Sequence, residues 1–169
     1  MKMLIAAFAA LLVSACATVP PGPPPPPPLP VAPMTAGGAD FLARNGAAKG
    51  VVTTPSGLEY FIIKSGPADG PRPAATDVVS FDYDGTLTDG TKFDSSFDRG
   101  QPLVGRTNAF VPGFTEALML MRPGDEWVVW IPPALAYGAE DKGPIPANSV
   151  LRFRLQLHSV TPAAAPAAQ

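Results

Sequence analysis

The sequence predicts an α+β fold with about five antiparallel strands and one short helix. Apolar and polar residues alternate over several short segments, a pattern typical of strands that bury one face of a sheet. Only one segment, after Pro112-Gly113, instead repeats apolar residues at helical spacing. These segments fall within residues 51–160, which is long enough for a single hydrophobic core.

Five strands are predicted in chain order. They contain Leu58, Tyr60 and Ile62; then Val79, Phe81 and Tyr83; then Lys92 and Phe93; then Trp127, Val129 and Ile131; and finally Leu151, Phe153, Leu155 and Leu157. Asp89-Gly90 has the residues of a hairpin turn between the second and third strands. We interpret Phe81, Trp127, Trp130, Leu155 and Leu157 as core or sheet-covering residues.

The predicted helix follows Pro112-Gly113. Phe114, Ala117, Leu118 and Met121 recur at helical spacing, which places them on one apolar face. Pro123-Gly124 ends the pattern, because proline cannot continue a helix.

The first sixteen residues resemble a bacterial lipoprotein signal. Lys2 precedes an unbroken apolar run over residues 3–13, which is shorter than the roughly 20 residues of a membrane-spanning helix. Small residues then lead into Cys16, the only cysteine, where a lipobox would be acylated. This resemblance predicts a signal peptide at residues 1–15 and a membrane attachment through lipid on Cys16. The alternative is a non-lipidated signal that is cut elsewhere.

A proline-rich segment follows. Ten residues between Pro20 and Pro33 are proline, and such a run favours an extended polyproline II spacer of roughly 40 Å. We therefore expect residues 16–50 to be a tether and a lead-in to the domain, and residues 161–169 to be a flexible tail. A proline-rich ligand for a partner domain is the competing interpretation.

Charge and composition exclude several classes of function. Without the signal and its Lys2, the chain has 11 basic and 14 acidic residues, a formal charge of −3, which argues against nucleic-acid binding. His158 is the only histidine and Cys16 lies outside the domain, so no metal site is expected. Asp82, Asp84 and Asp89 fit turn chemistry better than a calcium site. No cofactor is predicted.

Several short motifs then follow one another over about seventy residues. They are Tyr83, Phe93-Asp94-Ser95-Ser96, Val111-Pro112-Gly113-Phe114, Ala136-Tyr137-Gly138 and Phe153. Their order and spacing resemble the binding site of FKBP-type peptidyl-prolyl cis/trans isomerases. Phe41-Leu42-Ala43 and residues 54–60 resemble the lead-in of bacterial envelope members of that family, the Mip/FkpA-like group. The resemblance implies a twisted antiparallel sheet wrapped around one helix.

The resemblance also implies an enzyme, because such sites lower the rotation barrier of an Xaa-Pro bond. That barrier is about 18 to 20 kcal/mol and comes from amide resonance, so no nucleophile, metal or cofactor is needed. A concave apolar site that accepts the proline ring and stabilises the twisted amide is sufficient. The expected substrates are proline-containing unfolded or nascent envelope proteins, and the expected location is the bacterial cell envelope, on the periplasmic side of the outer membrane.

Carried over by resemblance, Asp94 would accept the Tyr83 hydroxyl and lie near the rotating carbonyl, with Arg99 as its ionic partner. The hydroxyl of Tyr137 and the N–H of Val111 would donate to substrate carbonyls. The expected substrate-binding residues are Phe93, Arg99, Phe110, Val111, Phe114, Ile145 and Phe153. Phe114 would form the pocket floor, and Ile145 would lie on a loop over the pocket.

The sequence departs from the family in three places. Phe114 stands where many relatives have tryptophan, and residues 103–106 lack a phenylalanine that is usual there, so one aromatic wall is expected to be absent. The helical dimerisation arm of related envelope proteins is not found before Phe41, so a monomer is expected. Two other functions stay open at this point: a non-catalytic envelope chaperone or peptide-binding module, and a tethered structural lipoprotein.

Overall fold

A computed structural model describes residues 37–163, in which seven strands form one antiparallel sheet. The strands are β1 Val51–Thr53, β2 Glu59–Lys64, β3 Val78–Leu87, β4 Lys92–Ser95, β5 Leu103–Arg106, β6 Glu126–Ile131 and β7 Leu151–Thr161. The helices are α1 Gly38–Gly46, α2 Ser96–Arg99 and α3 Pro112–Leu120, with single 3₁₀ turns at Thr107–Ala109 and Pro133–Leu135.

The sheet has the order β1-β2-β6-β7-β3-β4, and β5 pairs with β3 beyond the point where β4 ends. Strand β7 lies between β6 and β3, although it follows both in the chain. In the β3–β7 ladder Tyr83 is opposite Leu155 and Gly85 is opposite Phe153, so alternate residues of these strands share one face. That face is the one on which the core and the cavity described below are built.

Helix α3 packs against the core face of the sheet. It begins with Pro112, whose missing N–H has no partner in a first turn anyway, and it buries Phe114, Ala117 and Leu118. Gly113 is required by the close approach to β6, because a Cβ there would lie 2.4 Å from the Ile131 side chain. The fully buried core includes Leu58, Phe81, Leu118, Met121, Ile131, Leu155 and Leu157.

The predicted α+β class is confirmed, as are the five predicted strands, but the number of elements was underestimated. The missing strands, β1 and β5, have only three and four residues, and neither is long enough to show alternation. Helix α2 is also a single turn of four residues. Elements this short depend on the neighbours they pair with rather than on their own pattern.

Helix α1 was not predicted from the sequence, and it packs on the sheet ahead of residue 51, where we expect the isomerase-like domain to begin. Phe41 is buried, and Asn45 Nδ2 donates to Glu59 Oε2 of β2 at 2.6 Å. The last part of the predicted lead-in is therefore packed on the sheet. At the other end, strand β7 reaches Thr161, and the Ala163 N–H donates to Asp77 Oδ1 at 2.9 Å.

The predicted signal peptide, Cys16, the proline-rich segment and the last six residues of the tail lie outside the described residues. Within residues 37–163, no helix has the length and hydropathy needed to cross a bilayer.

Candidate active site

A cavity of about 720 Å³ opens between α3, the core face of the sheet and the loop after β6. Nine of the ten predicted catalytic and substrate-binding residues line it, and the tenth, Arg99, contacts two of the nine. Five phenylalanines and five aliphatic residues line it, and the polar lining residues are Tyr83, Asp94, Tyr137 and Lys142.

Phe114 lies at the centre of the aromatic side chains. It is 5% exposed, and its ring centroid is 5.0 Å from that of Phe153 and 5.1 Å from that of Phe110. Phe81, interpreted as a core residue, is fully buried and also lines the cavity, with its ring 5.4 Å from that of Phe114. The contact with Phe153 is edge to face and the other two are tilted, and together they hold the Phe114 ring in place on an apolar floor.

Gly85 is a site residue that the sequence analysis missed. It lies opposite Phe153 in β7 and Asp94 in β4, and a Cβ at this position would be 2.7 Å from the Phe93 ring and 2.8 Å from the Phe153 ring. Those two rings pack edge to face with centroids 5.5 Å apart. A glycine inside a strand was the available signal, since it often marks such a close approach.

Tyr83, Asp94 and Arg99 form a hydrogen-bonded group at the edge of the cavity. The Tyr83 hydroxyl donates to Asp94 Oδ2, and Arg99 Nη1 donates to Asp94 Oδ1. Arg99 Nη2 also donates to the Tyr83 hydroxyl oxygen at 2.8 Å, and its guanidinium carbon lies 5.4 Å from the centre of the Tyr83 ring. Each side chain therefore fixes the other two.

Helix α2 brings Arg99 back toward Asp94. Its N-cap, Ser95, accepts a hydrogen bond from the Asp98 N–H at 3.3 Å, and Gly100 ends the helix in the left-handed conformation with a φ of 67°. The single turn returns the chain, so Arg99, five residues after Asp94, reaches the carboxylate beside Phe93. Both caps are encoded in the sequence, although the helix is too short for periodicity to reveal.

The charges of this group are set by its surroundings. Desolvation by burial, together with the hydrogen bond to Asp94, raises the pKa of Tyr83 above its ordinary value. Desolvation also acts to raise the pKa of Asp94, but the hydrogen bonds from Tyr83 and Arg99 outweigh it and lower that pKa. At neutral pH Tyr83 is therefore a protonated donor and Asp94 an ionised acceptor.

Ser96 is a second residue that the sequence analysis did not assign to the site. It is fully buried, donates to Asp82 Oδ1 at 2.6 Å and accepts from the Tyr83 N–H at 2.9 Å. Asp82 in turn contacts His158 Nε2 at 2.7 Å. Tyr83 is thus fixed at two points: Ser96 binds its backbone N–H, and Asp94 and Arg99 bind its hydroxyl.

The loop between β6 and β7 supplies Tyr137 and Ile145. The Asn148 N–H donates to the Gly138 carbonyl at 2.7 Å, which closes the loop, and Ile145 is 6% exposed. Tyr137 is 37% exposed and faces the opening, with Lys142 Nζ 5.9 Å from the centre of its ring. Of the charged residues Glu140, Asp141 and Lys142 in this loop, only Lys142 lines the cavity.

Leu103 occupies the wall where the sequence lacks the usual phenylalanine. It belongs to β5, pairs with Phe81 of β3 and lines the cavity. A branched aliphatic side chain closes this wall with less area than an aromatic ring would. Among residues 37–163, no three His, Cys, Asp or Glu side chains are grouped so that they could hold a metal ion.

Comparisons with known proteins agree with this geometry. The sequence model of FKBP-type peptidyl-prolyl cis-trans isomerases matches residues 70–158, and that of the domain amino terminal to them matches residues 31–62. The chain is 47% identical over 128 residues to the FKBP-type peptidyl-prolyl cis-trans isomerase FkpA of Aeromonas hydrophila, covering 76% of this chain and 47% of that protein. It is 45% identical over 128 residues to the outer membrane protein MIP of Legionella longbeachae, covering 75% of this chain and 54% of that protein.

A solved structure gives the same result. The crystal structure of FkpA from Escherichia coli matches with a TM-score of 0.71 and 40% identity, over 75% of this chain and 58% of that one. The chain spans about half the length of the curated relatives it matches. The matched residues include the whole aromatic cavity and the Tyr83, Asp94 and Arg99 group, and on this evidence the chain belongs to the FKBP-type peptidyl-prolyl cis-trans isomerases.

Proposed function

We propose that this protein is a peptidyl-prolyl cis/trans isomerase that acts on proline-containing unfolded or nascent proteins of the bacterial cell envelope. The observation that supports this most directly is the cavity itself, where an aromatic floor lies beside a tyrosine and a carboxylate in fixed protonation states. The family membership points to the same activity.

Binding would begin with the proline ring, which fits against Phe114 between the Phe153 and Phe110 rings. Burial of the flanking amide removes water from it, and this disfavours the planar, polar ground state relative to the twisted amide. Only interactions that are stronger in the twisted state accelerate rotation, and each 1.36 kcal/mol of difference is about tenfold in rate.

Polar groups at the rim would hold the chain on either side of the proline. Tyr137 and the backbone of Val111 lie at the cavity, where their O–H and N–H can donate to substrate carbonyls. Asp94 would set the electric field at the rotating carbonyl while it orients Tyr83. The side chains of Asp94 and Tyr83 already hold each other in place before a substrate binds, so little reorganisation is required.

The direct test is an exchange NMR measurement with the full chain and a Leu-Pro peptide, with and without EDTA. We expect faster cis/trans exchange at catalytic protein concentrations, unchanged by EDTA, because the proposed mechanism uses no metal. A folded protein that leaves the exchange rate at its uncatalysed value would contradict the proposal.

The envelope location and a lipid anchor at Cys16 complete the proposal. They are supported by the signal-like first sixteen residues and by the relative named outer membrane protein MIP. Stable anchoring by lipid requires two or more acyl chains, which a lipobox cysteine receives.

We also propose a monomer, for which light scattering of the delipidated protein should give a mass below the 17.5 kDa of the full chain. A mass twice as large would contradict the monomer and show that two copies of the protein associate.

A further inference from the structure

We propose that Lys142 determines substrate specificity, favouring peptides that have a carboxylate near the proline over peptides that have a cation there. The inference rests on the proposed isomerase function and adds to it a preference for substrate charge. It follows from how charge is distributed around the cavity.

Only two of the side chains that line the cavity carry a formal charge, Asp94 and Lys142. Asp94 already accepts from Tyr83 with one oxygen and from Arg99 with the other. Its charge is therefore compensated within the protein. Lys142 is the charged group at the cavity that a substrate can engage.

The existing partner of Lys142 is easily replaced. Its ammonium contacts Glu140 Oε2 at 2.6 Å, but the two side chains are 46% and 70% exposed. Water and salt screen an ion pair at such an exposed position, so the pair between Lys142 and Glu140 contributes little stability. A substrate carboxylate at the cavity mouth could exchange with Glu140 at small cost.

The backbone keeps Lys142 at the mouth of the cavity. Its N–H donates to the Ile145 carbonyl at 3.0 Å, and Asp141 Oδ1 accepts from the Gly143 N–H at 2.9 Å. Gly143 has a φ of 71°, which glycine adopts without strain. The turn thus holds the base of Lys142 beside Ile145, while its ammonium stays near the Tyr137 ring.

The acidic residues of the same loop offset this effect only in part. Glu140 and Asp141 give the segment 140–142 a net charge of −1, but neither lines the cavity, and Asp141 is occupied by the Gly143 amide. A peptide bound in the cavity would therefore contact Lys142 rather than Glu140 or Asp141. A cationic residue there would be repelled at short range.

The test uses the full chain and exchange NMR on two peptide series. In one series Glu, Gln or Lys directly follows a Leu-Pro pair, and in the other it directly precedes that pair. We expect wild type to prefer Glu over Lys by at least about threefold in kcat/KM in one series or both, with the preference falling as salt is added. Lys142→Met should bring the ratio close to one, Lys142→Glu should invert it, and Glu140→Gln should increase it.

Lys49→Glu is the matched control, since it makes the same charge change at an exposed turn residue outside the cavity. It should keep the wild-type ratio. The inference is overturned if wild type and Lys142→Glu show the same ratio in both series, or if Lys49→Glu shifts it as much as Lys142→Glu does. If wild type fails to accelerate even the Gln peptides, the proposed function itself is wrong and the inference falls with it.

Discussion

Gly85 and Phe153 face each other across the β3–β7 ladder, and the absence of a side chain at Gly85 is what allows the Phe153 and Phe93 rings to meet. The aromatic wall of the cavity thus depends on a backbone position that does not itself line the cavity. A methyl group added at Gly85 would overlap the rings of Phe93 and Phe153, which have less freedom to move aside than the end of a long flexible side chain.

We predict that Gly85→Ala damages both folding and catalysis. The methyl group must displace the Phe93 or Phe153 ring, and overpacking of this kind typically costs about 1 to 3 kcal/mol in the free energy of unfolding. Urea denaturation and exchange NMR would measure the two effects. Gly37→Ala is the control for activity, because no atom lies within 4 Å of a Cβ at that position. Wild-type stability and rate in Gly85→Ala would show that the rings are free to move.

The Asp94 carboxylate is predicted to serve catalysis more than stability. Its ionic partner is exposed, so loss of the pair should change the fold little, whereas Tyr83 would lose its acceptor. Asp94→Leu should lower kcat/KM by at least about tenfold, or about 1.4 kcal/mol of transition-state stabilisation. Asp98→Asn changes a carboxylate four residues further along, on helix α2 and outside the cavity, and should be close to wild type.

If Asp94→Leu isomerises proline as fast as wild type, Asp94 has no catalytic role. A parallel assay of aggregation suppression separates the enzyme from a chaperone that uses the cavity only to hold clients. For such a chaperone Asp94→Leu would be nearly silent in both assays.

Phe153→Tyr tests the apolar wall. Phe153 is 7% exposed and packed among rings, so a hydroxyl there is buried without an evident partner and should weaken both binding and turnover. KM and kcat measured by exchange NMR, together with aggregation suppression, should all worsen. An unchanged KM would mean that the substrate does not reach this wall.

The pH dependence should be flat around neutrality. The pKa of Asp94 is lowered. The stabilisation from the ionised carboxylate is therefore fully present above the ordinary pKa of aspartate, and it is lost only as the pH falls below that value. The pKa of Tyr83 is raised. The stabilisation from its protonated hydroxyl is therefore fully present below the ordinary pKa of tyrosine, and it is lost only as the pH rises above that value. We expect kcat/KM to be constant from about pH 5 to 9. A titration with a midpoint between those limits would point to a different group.

The lipid anchor can be tested in cells. Cys16→Ala should block processing or release the protein from membranes, because the acylated side chain is lost. Ala17→Asp keeps the cysteine and should stay membrane-bound. Fractionation of Cys16→Ala with membranes in the wild-type proportion would place the anchor elsewhere.

The sequence predicted the long elements because alternation and helical spacing are visible over six or more residues, as in β3, β6, β7 and α3. It missed β1, β5 and α2, which are held by their neighbours. It also missed the nine-residue helix α1, which buries only Phe41 and so shows no repeated apolar face. The cavity residues came from a motif order, and the structure brings nine of them to one cavity. Gly85 and Ser96 were not assigned to the site because their roles depend on contacts between elements: Gly85 with the rings of Phe93 and Phe153, and Ser96 with the Tyr83 N–H.

The position of β7 also has a consequence for synthesis. It is the last strand along the chain, yet it lies between β6 and β3 and contributes Phe153 to the cavity. While the chain is being made, β3 and β6 have no shared partner until residues 151–161 have emerged. Contacts so distant in sequence form late and together. A growing chain therefore has no complete cavity until β7 pairs, so the proposed activity cannot act on the prolines of the same chain while that chain is still incomplete.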